Sequence, residues 1–252
     1  MTTRSLIGII AAVLGLETFT GPVSGAGKSR VLIYSGSTGY RHDSIPAGVE
    51  AMKVIATRLG YEVDATEDPH VFTADKLAAY KAIVFVSTTT DPKKPESEWF
   101  TGERRDALVG FLKAGKGVVG LHAAGDSHYH WPWYGQMIGG YFERHPKGTP
   151  KGTLTVHDAK HPATAKLPKT ITRNDEWYYY KDFDPTVRVL VTVDPASIGD
   201  GEADVNPNPV VWYKEFGGGR VFYNGLGHTA ESYQEPYMVD LLTGGLEYAA
   251  GK

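Results

Sequence analysis

Nine histidines and no cysteine set the chemistry open to this 252-residue chain. Without a thiol there is no disulfide, no thiolate metal site, no iron–sulfur cluster and no cysteine nucleophile, so catalysis must draw on His, carboxylates, Ser, Thr, Tyr, Lys or a metal. Three histidines stand just after short apolar runs. His42 lies in Gly39-Tyr40-Arg41-His42-Asp43-Ser44, and His122 sits between Gly120-Leu121 and Ala123-Ala124-Gly125-Asp126. His228 closes Asn224-Gly225-Leu226-Gly227-His228. Glu176 is flanked by aromatic residues in Asn174-Asp175-Glu176-Trp177-Tyr178. Imidazoles and carboxylates are the residue types of general acid–base catalysis and of zinc, copper, nickel or non-haem iron sites. The expected catalytic set is therefore His42, His122, Asp126, Glu176 and His228. The expected ligands of a divalent transition metal are His122, His145, Glu176 and His228, with His42 or Asp126 left to move a proton. No HExxH or comparable tight pair occurs, and any one of these histidines taken alone is also readable as a hydrogen-bonded structural residue. His70, His157 and His161 are assigned to surface or loop positions.

Aromatic residues cluster beside this set. Trp131, Trp133 and Tyr134 follow His128, Tyr129 and His130, and exposed Trp and Tyr present flat apolar faces suited to stacking on sugar rings. With Tyr40, Arg41 and Tyr178 they form the expected substrate-binding set: each ring on its own fits core or rim packing better than ligand contact, but as a cluster beside a strand-end His they favour a pocket wall. Other chemistries find little support. Gly36-Ser37-Thr38-Gly39 lacks the lysine of a P-loop and the spacing of a dinucleotide fingerprint. No GxSxG occurs, and the position where hydrolases carry Ser is His122. Lys plus Arg is 26 against Asp plus Glu at 29, so no basic excess points to nucleic acid or anionic lipid. A small molecule or oligosaccharide is the expected partner.

Alternating apolar runs and amphipathic segments supply the frame for these residues. Arg30 to Tyr34, Tyr61 to Ala65, Ala82 to Val86 and Gly117 to Leu121 read as strands. Ile45, Val49, Met52, Ile55 and Leu59 recur at helical spacing before Gly60. Further helices are expected around Ala74 to Tyr80 and from Gly102 to Ala114. This alternation implies an α/β fold with a mostly parallel sheet, and ligands of such sheets bind beyond the carboxyl ends of the strands. The small residues around His122 suit a tight strand-to-helix turn of the nucleophile-elbow kind. After about residue 150 strands dominate: Thr153 to Val156, Glu176 to Tyr180, Val187 to Val193, Val210 to Tyr213 and Val221 to Tyr223. A last helix is expected from Tyr237 to Ala249. Gly217-Gly218-Gly219 reads as a hairpin turn and Gly199 to Pro209 as a surface loop.

At the amino terminus, Arg4 precedes an apolar run from Leu6 to Leu16 and a small-residue stretch from Val23 to Gly27. The run is about half the roughly 20 residues of a membrane span, which is the layout of a signal peptide. Residues 1–26 are expected to be removed near Ala26. One domain, 27–252, would then act as a secreted or periplasmic protein with no membrane attachment.

In these residues the chain resembles the trehalose-utilisation ThuA-like family, within the class I glutamine amidotransferase-like group of flavodoxin-type folds. The resemblance runs from Val31 to about Gly251. It rests on Tyr40-Arg41-His42-Asp43-Ser44, Gly120-Leu121-His122, Trp131 to Tyr134, and Phe142 with His145-Pro146. Further on it rests on His161-Pro162, Asp175-Glu176-Trp177-Tyr178, Gly219 to Tyr223 and Leu226-Gly227-His228. It implies a flavodoxin-like three-layer sandwich with extra carboxy-terminal strands. It also implies a carbohydrate connection through 3-keto-glycosides. Amidotransferase activity does not carry over, because that reaction needs a Cys nucleophile where this chain has His122.

The leading expectation is an exported carbohydrate-active enzyme that cleaves or rearranges a glycoside by metal-assisted acid–base chemistry. A non-catalytic saccharide-binding or accessory protein is the first alternative. A metal-free hydrolase using Glu176 and Asp126 as its carboxylate pair is the second.

Overall fold

The computed structural model describes Met1 and residues 29–200, 203–205 and 207–252. The expected signal segment lies, apart from Met1, outside the described residues. Strand β1 (Arg30–Tyr34) buries four consecutive side chains, Val31 to Tyr34, as a strand covered on both faces must. It is followed by α1 (Ile45–Arg58), β2 (Glu62–Thr66), the short α2 (Ala74–Leu77), β3 (Tyr80–Val86), α3 (Glu103–Lys113) and β4 (Gly117–Leu121). Helix α4 (Pro132–Ile138) and strands β5 (Tyr141–Arg144), β6 (Lys151–Val156), β7 (Thr170–Asn174) and β8 (Tyr179–Lys181) come next. The chain ends with β9 (Arg188–Val193), β10 (Asn208–Phe216), β11 (Gly219–Asn224) and α5 (Pro236–Ala250).

Nine strands form one sheet in the order β2-β1-β3-β4-β11-β10-β9-β6-β7, while β5 and β8 pair separately. The pairs from β2 through to β11 are parallel. Those from β11 out to β7 are antiparallel. Side chains alternate between the two faces of the sheet. Val31 and Ile33 join Met52 and Ile55 of α1 and Leu241 and Leu242 of α5 on one side. Leu32 and Tyr34 join Leu108 and Phe111 of α3 and Ile138 of α4 on the other. This is the expected three-layer α/β sandwich with a mostly parallel core and added carboxy-terminal strands. No helix among the described residues is long and apolar enough to cross a membrane.

Several local expectations need correction. Glu176 to Tyr178 is not strand: β8 begins only at Tyr179. The backbone N–H of Glu176 instead binds its neighbour's carboxylate, Asp175 Oδ1, at 2.9 Å, and the Trp177 indole N–H donates to the Pro150 carbonyl at 2.8 Å. Helix α2 stops at Leu77 because Tyr80 already opens β3. The loop expected up to Pro209 ends sooner, since Asn208 pairs with Val193 in the sheet and its amide donates to the Tyr178 carbonyl. His161 lies in the loop between β6 and β7, as one of the two expected positions allows, but is buried there against Tyr213 and Tyr248 rather than exposed.

Candidate active site and metal centre

Strands β1, β3, β4 and β11 run in one direction, so the loops leaving them gather at one edge of the sheet. The loop after β1 carries His42, the turn after β4 carries His122, and the loop after β11 carries His228. Glu176 arrives from the other half of the molecule, just beyond the end of β7. The turn at His122 is tight: its φ is +47°, a left-handed conformation that non-glycine residues adopt at a cost. Gly120 lets Ile138 and Tyr223 pack close to the strand just before the turn, because a Cβ there would meet Ile138 Cδ1 at 2.7 Å and Tyr223 Cδ2 at 2.9 Å. The Tyr223 hydroxyl donates to the His122 carbonyl at 2.5 Å. The elbow expected from sequence is present, with imidazole in the place of a nucleophile.

Three imidazoles converge on one carboxylate oxygen. Glu176 Oε2 lies 3.1 Å from His228 Nδ1, 3.4 Å from His122 Nε2 and 4.0 Å from His42 Nε2. One donor atom from each of the four falls within 4.8 Å of every other. Donors that share a tetrahedral ion with bonds of 2.0–2.2 Å stand roughly 3.3–3.6 Å apart, so the donor types suit a divalent transition metal, His122 and His228 already stand near that spacing from Glu176, and His42 at 4.0 Å would have to close in. Hydrogen bonding agrees with the fit. His122 Nδ1 lies 2.9 Å from the Gly225 carbonyl, which can only accept, so Nδ1 donates there and Nε2 is the ring nitrogen that faces the centre. His122 Nε2 and His228 Nδ1 are buried without a hydrogen-bond partner, as atoms reserved for a cation would be.

Charge in the cluster follows from burial and proximity. Burial pushes the Glu176 carboxyl up, but the facing imidazoles of His122, His228 and His42 outweigh it and hold the group well below the usual carboxylate range. Burial lowers His42, whereas contact with Glu176 raises the less buried His228. Asp126 stands beside the cluster in the same cavity, where burial drives its carboxyl up to about 6 against the hydrogen bond donated by Tyr129. A carboxyl near 6 exchanges its proton close to neutral pH, as a general acid or base should.

The cavity above the cluster has a volume of about 380 Å³, at the small end of the range for ligand sites. Tyr40, Phe142 and Tyr178 form its aromatic walls. Tyr178 stacks on His122 with ring centres 4.5 Å apart, and Tyr40, 66% exposed, meets His42 edge-on at the mouth. His42, expected to carry protons, belongs to the cluster itself. His145, expected as a metal ligand, stands outside the set of four at the rim, with Nε2 3.3 Å from Glu176 Oε1.

Four residues of the expected substrate set lie elsewhere. Arg41 points away from this cavity and pairs through both nitrogens with Glu67 at 2.9 and 2.6 Å. Trp131 and Trp133 stack on each other and pack against Phe100 and Phe216 respectively. Tyr134 is fully buried, with its hydroxyl donating to the Ala124 carbonyl at 2.9 Å. These rings cover a sheet face because α4 needs an apolar side, which outweighs their capacity for stacking on sugars. Phe142 and Asp175 were absent from the expected set. Phe142 precedes His145 by three residues, and Asp175 adjoins Glu176, so position next to a site residue was the available signal.

Comparison with known proteins agrees with this architecture. A family model described as "ThuA: Trehalose utilisation" matches residues 30–249. A ThuA-like protein from Bacteroides uniformis superposes with a TM-score of 0.71 at 23% identity, covering 92% of this chain and 95% of that one. Another from Parabacteroides merdae gives 0.70 at 20% identity, covering 89% and 91%. A β-galactosidase from Bacillus circulans shares the fold over 88% of this chain but only 31% of its own length, at 13% identity and a TM-score of 0.55. No curated protein matches the sequence. At these identities the solved structures speak for the fold, and the match of the family model across the sheet, the elbow and all four cluster residues shows that the chain belongs to the ThuA trehalose-utilisation family.

Proposed function

We propose that this chain is an exported carbohydrate-active enzyme that cleaves or rearranges a glycoside, with a divalent transition metal held by His42, His122, Glu176 and His228. The convergence of three strand-end imidazoles on one Glu176 oxygen, beside a carboxyl that titrates near 6, carries this reading. The bound ion would supply Lewis acidity toward a substrate carbonyl or hydroxyl. Glu176 and the three histidines hold that position, and Tyr40, Phe142 and Tyr178 offer rings to an apolar sugar face. Asp126 is the proton carrier. In a 3-keto-glycoside the carbonyl acidifies the C–H at the neighbouring carbon. Asp126 takes that proton, the electron pair forms a carbon–carbon double bond as the glycosidic C–O bond breaks, and the proton returns to the departing oxygen. Residues 1–26 serve as the export signal.

Turnover of trehalose, simple glucosides and their 3-keto forms, followed by product analysis, tests the proposal. Release of the leaving group from a keto form, abolished in Asp126→Asn and Glu176→Ala while both remain folded, is the expected result. Saccharide binding without turnover, or full activity in both variants, would overturn it.

A further inference from the structure

Glu176 and His228 come from opposite halves of the sheet, and one buried ion pair ties their loops together. Arg173 is the penultimate residue of β7, and its side chain is 2% exposed. Its guanidinium Nη2 lies 3.1 Å from Asp175 Oδ2, the carboxylate of a residue with no exposed side-chain surface. Asp175 then accepts three backbone N–H groups. Oδ1 takes those of Glu176 at 2.9 Å and His228 at 3.0 Å, and Oδ2 takes that of Gly227 at 2.9 Å. Gly227 has a φ of +116°, and a Cβ there would stand 2.6 Å from the Tyr233 hydroxyl, so the loop has one narrow path past the carboxylate. On its far side Arg173 donates to Ser232 Oγ at 2.5 Å and pairs with Glu235 at 3.1 Å, just before α5.

We propose that Arg173 and Asp175 are positioning residues that latch the Glu176 and His228 loops together and thereby set the affinity of the cluster for a metal ion. This rests on the metal-site reading above. A buried carboxylate that satisfies three loop N–H groups fixes backbone no strand ladder holds, and among the described residues its charge is paired with Arg173. A neutral carboxamide offers one oxygen where two are used and turns an N–H₂ against donors. Such outer contacts to metal ligands are worth about 10- to 100-fold in affinity.

The test compares wild type, Asp175→Asn and Ile171→Ala. The last removes core packing from the same strand without touching the latch. Two readouts are taken: Co²⁺ affinity by competition with a chromophoric chelator, and amide hydrogen exchange at Gly227 and His228 in metal-free protein. The expected result is a 10- to 100-fold loss of Co²⁺ affinity and at least tenfold faster exchange at both amides in Asp175→Asn. Ile171→Ala should lower Tm while keeping affinity within about twofold. Equal affinity loss in both variants, or unchanged exchange in Asp175→Asn, overturns the latch. If wild type binds no Co²⁺, the metal reading fails, and amide exchange alone decides whether Asp175 fixes the loop.

Discussion

Glu176 Oε2 stands 3.1 Å from His228 Nδ1, so a carboxylate delivered by the antiparallel half of the sheet meets an imidazole delivered by the parallel half. Glu176→Gln keeps the side chain's shape but removes the charge that the imidazoles face. Divalent-ion affinity should fall by at least about 100-fold, with the far-ultraviolet circular dichroism unchanged. Chelator competition on the two proteins checks this.

The elbow makes a steric demand. Gly120→Ala forces a Cβ to within 2.7 Å of Ile138 Cδ1, and stability should drop by about 1–3 kcal/mol. Ile138→Val removes that atom, so the double variant should recover part of the loss. Urea denaturation of the three proteins measures both steps.

Tyr40 needs no partner to hold the fold. At 66% exposure on the cavity mouth, its removal in Tyr40→Ala should leave Tm within a degree or so. Sugar binding should weaken roughly three- to tenfold, the worth of one ring stack. Calorimetric titration with the glycosides and 3-keto forms of the turnover test reads this out.

Acid should weaken the fold through two histidines outside the cluster. Burial lowers His128 and His161 to about 4, against about 6.5 in the unfolded chain. Between those values the unfolded state binds protons that the folded state refuses, so stability present above pH 6.5 is lost as the pH falls toward 4. Asp126, raised to about 6 by burial, acts in the opposite sense and offsets part of it. His161→Asn keeps an acceptor for the Ala163 N–H now bonded at 3.2 Å but cannot titrate, so its stability should differ less than wild type's between pH 7 and 4.5. Denaturation at the two pH values decides it.

Much of this site was legible because strand ends announce themselves. Apolar runs at Arg30 to Tyr34 and Gly117 to Leu121 stop at the observed boundaries, which placed the loops of His42 and His122 at the same edge of a parallel sheet. Residue type then singled out His42, His122, Glu176 and His228. What residue type could not assign was the division of labour among the histidines. His42 and His145 both follow aromatic or basic neighbours, and only the path of the loop after β1 puts His42 inside the cluster. The aromatic segment misled for a related reason. Trp131 and Tyr134 have the same side chains whether they face a sugar or a helix, and the three-residue interval between them is also that of a buried helical stripe. Strand β7 escaped notice because Thr170, Thr172 and Asn174 alternate with single buried residues, Ile171 and Arg173. One of those inward positions is a charge that its ion pairs with Asp175 and Glu235 explain.

Elemental analysis tests the central claim most directly, on protein purified in its mature, exported form without chelator, beside His122→Ala and His228→Ala. About one equivalent of a transition metal in the wild type, lost from both variants while they stay folded, is the expected result. Wild-type protein that is metal-free and takes up no ion on reconstitution, or variants that keep a full equivalent, would contradict a metal centre built on Glu176 and its three histidines.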